Sequence, residues 1–83
     1  MKLGDKNLAL TIGARLLERR RTLGILQKDL ASLATVSVHT LSNIESGKGN
    51  PSLDVIERLL LCLGLQCTIE PQRLDDSANP PGA

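Results

Sequence analysis

The chain contains no phenylalanine, tyrosine or tryptophan. Without an aromatic ring, nothing can stack on an unpaired base or a flavin, which argues against single-strand and RNA readers of the stacking kind. Any core must be aliphatic, chiefly leucine. Histidine occurs once, at His39, and cysteine twice, at Cys62 and Cys67. That cysteine pair has no zinc-site spacing, and His39 sits on another element, so free thiols in a reducing compartment are expected. Long apolar runs are missing too. The longest, Leu59 to Leu65, is far too short to cross a bilayer, and no signal peptide is visible, so a cytoplasmic protein without membrane contact is expected. The inventory for enzyme chemistry is also thin: no neighbouring Cys and His, no Gly-rich loop followed by Lys-Ser/Thr, no metal cluster. No catalytic residue, metal or cofactor is expected.

What is present suits one small domain. Eighty-three residues bury only about 60% of the unfolded surface, so a partner subunit would help. The net charge of +1 is unevenly placed. Residues 1–50 hold eight basic and four acidic side chains, and residues 51–83 two basic and five acidic. A basic front half suits phosphate contact, with the acidic half facing elsewhere.

The chain centres on the stretch from Gln27 to Glu45. Leu30, Ala31, Leu33 and Ala34 repeat at helical spacing, Val36-Ser37 breaks the pattern, and Ser37 can cap a second helix with its hydroxyl. That second helix, about Val38 to Glu45, turns Leu41 and Ile44 inward and leaves Val38, His39, Ser42 and Asn43 on or near its outer face. Two short helices joined by such a turn make a helix-turn-helix, whose second helix enters the DNA major groove. Base reading is therefore assigned to Ser37, Val38, His39, Ser42 and Asn43. Asn43 can pair with adenine N6 and N7 or, from the far side of the helix, reach only a phosphate; Val38 can touch a thymine methyl, and His39 can donate to guanine N7 or O6.

Around this centre, Asn7 can cap a helix running from about Leu8 to Thr22, with Ile12, Leu16 and Leu23 as its buried stripe. Arg15, Arg19, Arg20 and Arg21 crowd its second half, where cations suit the helix dipole. Gly24 ends it. After a loop at Gly47-Lys48-Gly49-Asn50-Pro51, Ser52 can cap a helix to about Leu63. Its apolar residues, from Leu53 to Leu63, are too many for one stripe, since a surface helix buries about 100° of its circumference. Gly64 stops that helix. Leu65 to Glu70 then alternates as a half-buried strand does, and Pro71 ends the run. A lone strand is unstable, so the same strand of a second copy is the expected partner. Leu60, Leu63, Leu65, Cys67 and Ile69 are the candidate dimer interface. Residues 1–7 are expected to be flexible, residues 66–71 to be the dimerisation strand, and residues 72–83 to be disordered.

Gln27, Leu30-Ala31, the run Leu41-Ser42-Asn43-Ile44-Glu45-Ser46-Gly47-Lys48 and Asn50-Pro51-Ser52-Leu53 together resemble the XRE family, the DNA-binding domains of the phage Cro and cI repressors. The resemblance covers roughly Ile12 to Leu65. It implies a mainly α fold, a lambda-repressor-like bundle of four to five helices over residues 8–65, with the short carboxyl-terminal strand pairing across a dimer. It implies that Gln27 holds a phosphate, with Lys28, Thr40 and Lys48 as further phosphate candidates, and that Arg20 and Glu45 form an internal ion pair. Two departures stand out. Leu26 replaces the usual Thr or Ser cap, and Thr35 replaces the usual Gly at the turn, where a β-branched residue resists positive φ.

The segment Leu63-Gly64-Leu65-Gln66-Cys67-Thr68-Ile69-Glu70, followed by an acidic tail with Asp75 and Asp76, looks like HipB-type antitoxins. That likeness implies a homodimer that binds a pseudo-palindromic double-stranded operator, represses its own operon and neutralises a HipA-type serine/threonine kinase toxin. The alternative is a stand-alone Cro-like regulator.

Overall fold

A computed structural model describes residues 8–71. Among them lie four helices: α1 (Leu8–Leu23), α2 (Gln27–Ala34), α3 (Val38–Glu45) and α4 (Leu53–Leu63). α1 packs on α3 and α4, and α2 packs on the same two. The expectations for residues 1–7 and 72–83, including the Asn7 cap and the Asp75-Asp76 tail, lie outside the described residues.

The core is aliphatic, as the lack of aromatics requires. Leu16, Leu30, Ala31, Ala34, Leu41, Ile44, Ile56, Leu59 and Leu63 form it, drawn from all four helices. Five of the leucines have essentially no exposed surface, and each burial of that kind is worth about 2–3 kcal/mol. Leu41 and Ile44 point inward as their spacing predicts. Leu23 and Leu33 do not: both stay exposed. A helix of eight residues makes about two turns, and α2 fills its inner face with Leu30, Ala31 and Ala34, leaving Leu33 no room there.

Local chemistry sets the helix ends. The Ser37 hydroxyl accepts from the backbone N–H of Thr40 at 3.0 Å, and that of Ser52 accepts from Val55 at 3.2 Å. Leu26 occupies the cap position of α2 with no side-chain bond, as its chemistry dictates. Thr35 takes the left-handed conformation, φ 60°, and donates its N–H to Ser32 O at 3.2 Å while Val36 donates to Ala31 O at 2.9 Å. The turn thus keeps its usual shape, and the β-branched side chain bears the strain, about 1–3 kcal/mol.

Three arginines tie elements together through backbone carbonyl groups, two of them at helix ends that would otherwise lack partners. Arg19 Nε donates to Leu63 O, the last residue of α4, at 3.0 Å. Arg58 Nε donates to Ala34 O, the last residue of α2, at 3.0 Å. Arg20 Nη1 donates to Ile25 O at 2.9 Å.

Two expectations for the carboxyl end are corrected. No strand occurs among the described residues, and Leu65 to Pro71 is irregular backbone. A strand exists only through hydrogen bonds to a neighbouring strand, and among the described residues this segment has no such neighbour. Leu63 is not available to a second copy either: with 1% of its surface exposed it belongs to the chain's own core. The other candidates differ. Leu60 and Leu65 are half-buried, Cys67 is exposed, and Ile69 keeps 94% of its surface.

Candidate nucleic-acid interface

α3 is held from inside and bare outside. Leu41, Ile44 and Glu45 are its buried residues. Val38, His39 and Ser42 are exposed, and Thr40 and Asn43 are half-buried. The five side chains assigned to base reading therefore lie along the outer side of α3 and its cap, backed by the core. A rigid helix carrying side chains on its outer face is the geometry a groove reader needs.

The far end of α3 is clamped at Glu45. Its carboxylate accepts from Arg20 Nε at 2.6 Å and from Arg20 Nη2 at 3.1 Å. Gln27 Nε2 donates to the same carboxylate at 2.9 Å. The ion pair implied by the resemblance is present, with both side chains nearly removed from solvent. The Arg20 guanidinium is held above its ordinary value, first by the hydrogen bond to Glu45, against desolvation, with the charge of Glu45 adding to it. Glu45 thus gathers the end of α1, the start of α2 and the end of α3 into one joint.

Gln27 makes a contact that its position alone did not reveal. Bonding Glu45 uses one amide hydrogen of Nε2. The second hydrogen and the carbonyl oxygen are left for an outside partner. Lys48 follows α3 directly: its backbone N–H donates to Asn43 O at 2.8 Å, and its side chain is exposed. Lys28 is exposed on the first turn of α2. These groups flank α3 on its two neighbouring segments, where phosphates would run beside an inserted helix.

Ser37 is less free than expected. Besides accepting from the Thr40 backbone, its hydroxyl donates to Thr40 Oγ1 at 2.9 Å, so Ser37 and Thr40 engage each other first. Asn43 is also engaged, with Nδ2 lying 3.3 Å from His39 Nε2.

Sequence reasoning missed two glycines. Gly13 is buried in the middle of α1, and a Cβ there would overlap the carbonyl oxygen of Ile44. Gly47 has φ +78°, and a Cβ there would overlap the Leu10 side chain. A glycine inside a helical pattern was the available signal for the first. Arg19, placed by the sequence only among the cations that suit the dipole of α1, is also a tether to α4.

A helix-turn-helix family model, HTH_3, matches residues 16–68. An uncharacterized HTH-type transcriptional regulator of Haemophilus influenzae is 34% identical over 73 residues, spanning 88% of this chain and 74% of that protein. The HTH-type transcriptional regulator DdrOP3 of Deinococcus deserti is 41% identical over 51 residues, 61% of this chain but 40% of the relative. Among solved structures, the clp gene regulator ClgR of Corynebacterium glutamicum superposes with a TM-score of 0.70 at 28% identity, over 74% of this chain and 65% of that one. The restriction-modification controller protein C.AhdI of Aeromonas hydrophila superposes with a TM-score of 0.66 at 31% identity, over 70% and 88%.

Proposed function

The chain belongs to the HTH_3 helix-turn-helix family, and on that premise we propose that it is a sequence-specific double-stranded DNA-binding transcription regulator that works by binding alone. The observation that carries this is the outer row of α3: Val38, His39 and Ser42 are exposed and Asn43 is half-buried, while Leu41, Ile44 and Glu45 fix the helix from beneath. Gln27, Lys28, Thr40 and Lys48 position the domain on the phosphates. Relatives named as HTH-type transcriptional regulators support the regulatory part.

The working form is a homodimer on a pseudo-palindromic operator, with half-sites about 34 Å, one helical turn or a multiple, apart. Exposed Leu61 and Ile69 and half-buried Leu60 and Leu65 give a second copy an apolar surface to cover. The irregular segment after Gly64 would gain a strand partner there. Repression follows from occupying a promoter. In its narrower form the protein is the antitoxin of a HipBA-type operon that also holds a HipA-type kinase toxin. The support is the eight-residue likeness from Leu63 to Glu70. A stand-alone Cro-like regulator shares every feature except that partner.

Fluorescence anisotropy with duplexes from the gene's own upstream region tests the proposal. Saturable binding is expected at low ionic strength, with log affinity falling linearly against log salt as counterions are released. Equal affinity for an unrelated duplex, or none for either, overturns it. Co-purification of a kinase encoded by the adjacent gene separates the antitoxin from the stand-alone form.

A further inference from the structure

We propose that His39 and Asn43 read DNA as a coupled pair, the protonation state of His39 deciding which base Asn43 favours; this rests on α3 being the helix that enters the groove. Asn43 Nδ2 and His39 Nε2 lie 3.3 Å apart, one turn from each other on α3. An amide nitrogen only donates, so in this arrangement the imidazole accepts. That requires the neutral ring with its proton on Nδ1. The bond occupies one amide hydrogen of Asn43. The other hydrogen and Oδ1 remain, the donor and acceptor that adenine N7 and N6 call for. The neutral histidine therefore orders Asn43 before DNA arrives, and less side-chain freedom is lost on binding.

Protonation removes the basis of this arrangement. An imidazolium donates from both nitrogens and accepts at neither. Asn43 then keeps its contact with His39 only by turning its amide over, so that Oδ1 accepts from Nε2–H. The donor and acceptor it offers outward exchange places. His39 meanwhile presents only donors, which suit the two acceptors N7 and O6 of guanine. One side-chain pair thus has two recognition states.

The surroundings leave this exchange to the pair itself. The charged groups on the elements packed against α3 are Arg15, Glu18, Arg19, Arg20 and Arg21 of α1, Lys28 and Asp29 of α2, and Lys48 just after α3, exposed and bonded through its backbone to Asn43 O. Of these, Arg20 is the one bonded to α3, at Glu45. Glu45 is the only charged residue of α3 besides a protonated His39, and it is buried and paired. His39 is exposed.

The test measures preference and not affinity, because a charged His39 strengthens contact with any phosphate backbone. Binding constants are taken for a set of duplexes carrying each of the four base pairs in turn through one half-site. They are measured at about pH 8 and about pH 5.5, on either side of the range where histidines change charge. At the position read by Asn43, the preference for adenine should fall roughly tenfold at the lower pH, with guanine gaining. In His39→Gln the ratio should not change with pH. An unchanged ratio in the unaltered chain overturns the coupling while DNA binding stands; failure to bind any duplex sinks the regulator reading as well. A second readout needs no DNA. In ¹⁵N NMR, the Asn43 side-chain amide should titrate with the midpoint of the His39 ring, and an amide that stays constant while the ring titrates overturns the proposal.

Discussion

Gly13 of α1 lies directly against the carbonyl oxygens of Ile44 and Glu45 at the end of α3, and a Cβ on it would overlap the first and stand 3.0 Å from the second. Two backbones meet there with no side chain between them. The height at which α3 is carried above α1 depends on that contact.

Gly13→Ala should therefore force α1 and α3 apart. Alanine is the better helix former by about 1 kcal/mol, but the overlap is with backbone that cannot step aside. A net loss of about 2 kcal/mol is expected, read as a lower denaturant midpoint. Any variant that still folds should bind DNA less tightly, because its reading helix is displaced.

Arg20→Ala should cost about 3 kcal/mol, because Glu45 is left as a buried charge with only Gln27 to serve it. Urea unfolding measures this. The pH dependence of the loss is also defined. A cation whose folded-state value is raised gives stability that is complete below its unfolded value and is lost only above its folded one. Since Arg20 is raised above the ordinary guanidinium value, its own titration contributes no change across neutral pH.

Thr35→Gly should stabilise the protein. Glycine relieves the strain at φ 60° but adds freedom to the unfolded chain, leaving a gain of about 1 kcal/mol. Leu26→Thr should add roughly 0.5–1 kcal/mol by supplying the missing cap, since exposed Leu26 contributes little to the core. Both gains would appear as higher melting temperatures, and a fall in either contradicts the local geometry.

Lys48→Ala and His39→Ala should separate positioning from reading. The lysine variant should lose affinity by a similar factor at every sequence and lower the salt slope by about one. The histidine variant should lose discrimination at one or two base pairs, by about 1–3 kcal/mol. Binding selection on a randomised half-site distinguishes them, and identical patterns would remove the division between the two residues.

Ile69→Asp should weaken self-association if the segment after Gly64 pairs with its copy, since it places like charges near the two-fold axis. Sedimentation over a concentration series reads the change. A chain that is monomeric throughout refutes the dimer.

Much of the fold was legible because its causes are local. Helical spacing located the four helices of the described residues to within a residue or so, and Ser37, Ser52, Gly24 and Gly64 marked their ends through short-range hydrogen bonds and positive φ. The outer row of α3 followed from the same periodicity once Leu41 and Ile44 were placed inward. Leu26 lacks a hydroxyl wherever it sits, whereas Thr35 was marked as irregular only by the resemblance, and its left-handed backbone is seen in the structure. The Arg20–Glu45 pair was different, since it was implied by resemblance and not by spacing.

By itself, then, the sequence determined an aliphatic helical domain with a reading helix beginning after Ser37, since helix period, capping and the lack of aromatic rings act over a few residues. Only the tertiary structure decided that Gly13 must be glycine, that Arg19 and Arg58 close helix ends on other elements, that Leu63 belongs to the core, and that Gln27 shares Glu45 with Arg20. Those facts join residues 18 to 44 positions apart. Such contacts depend on where whole helices cross, and no local periodicity encodes that.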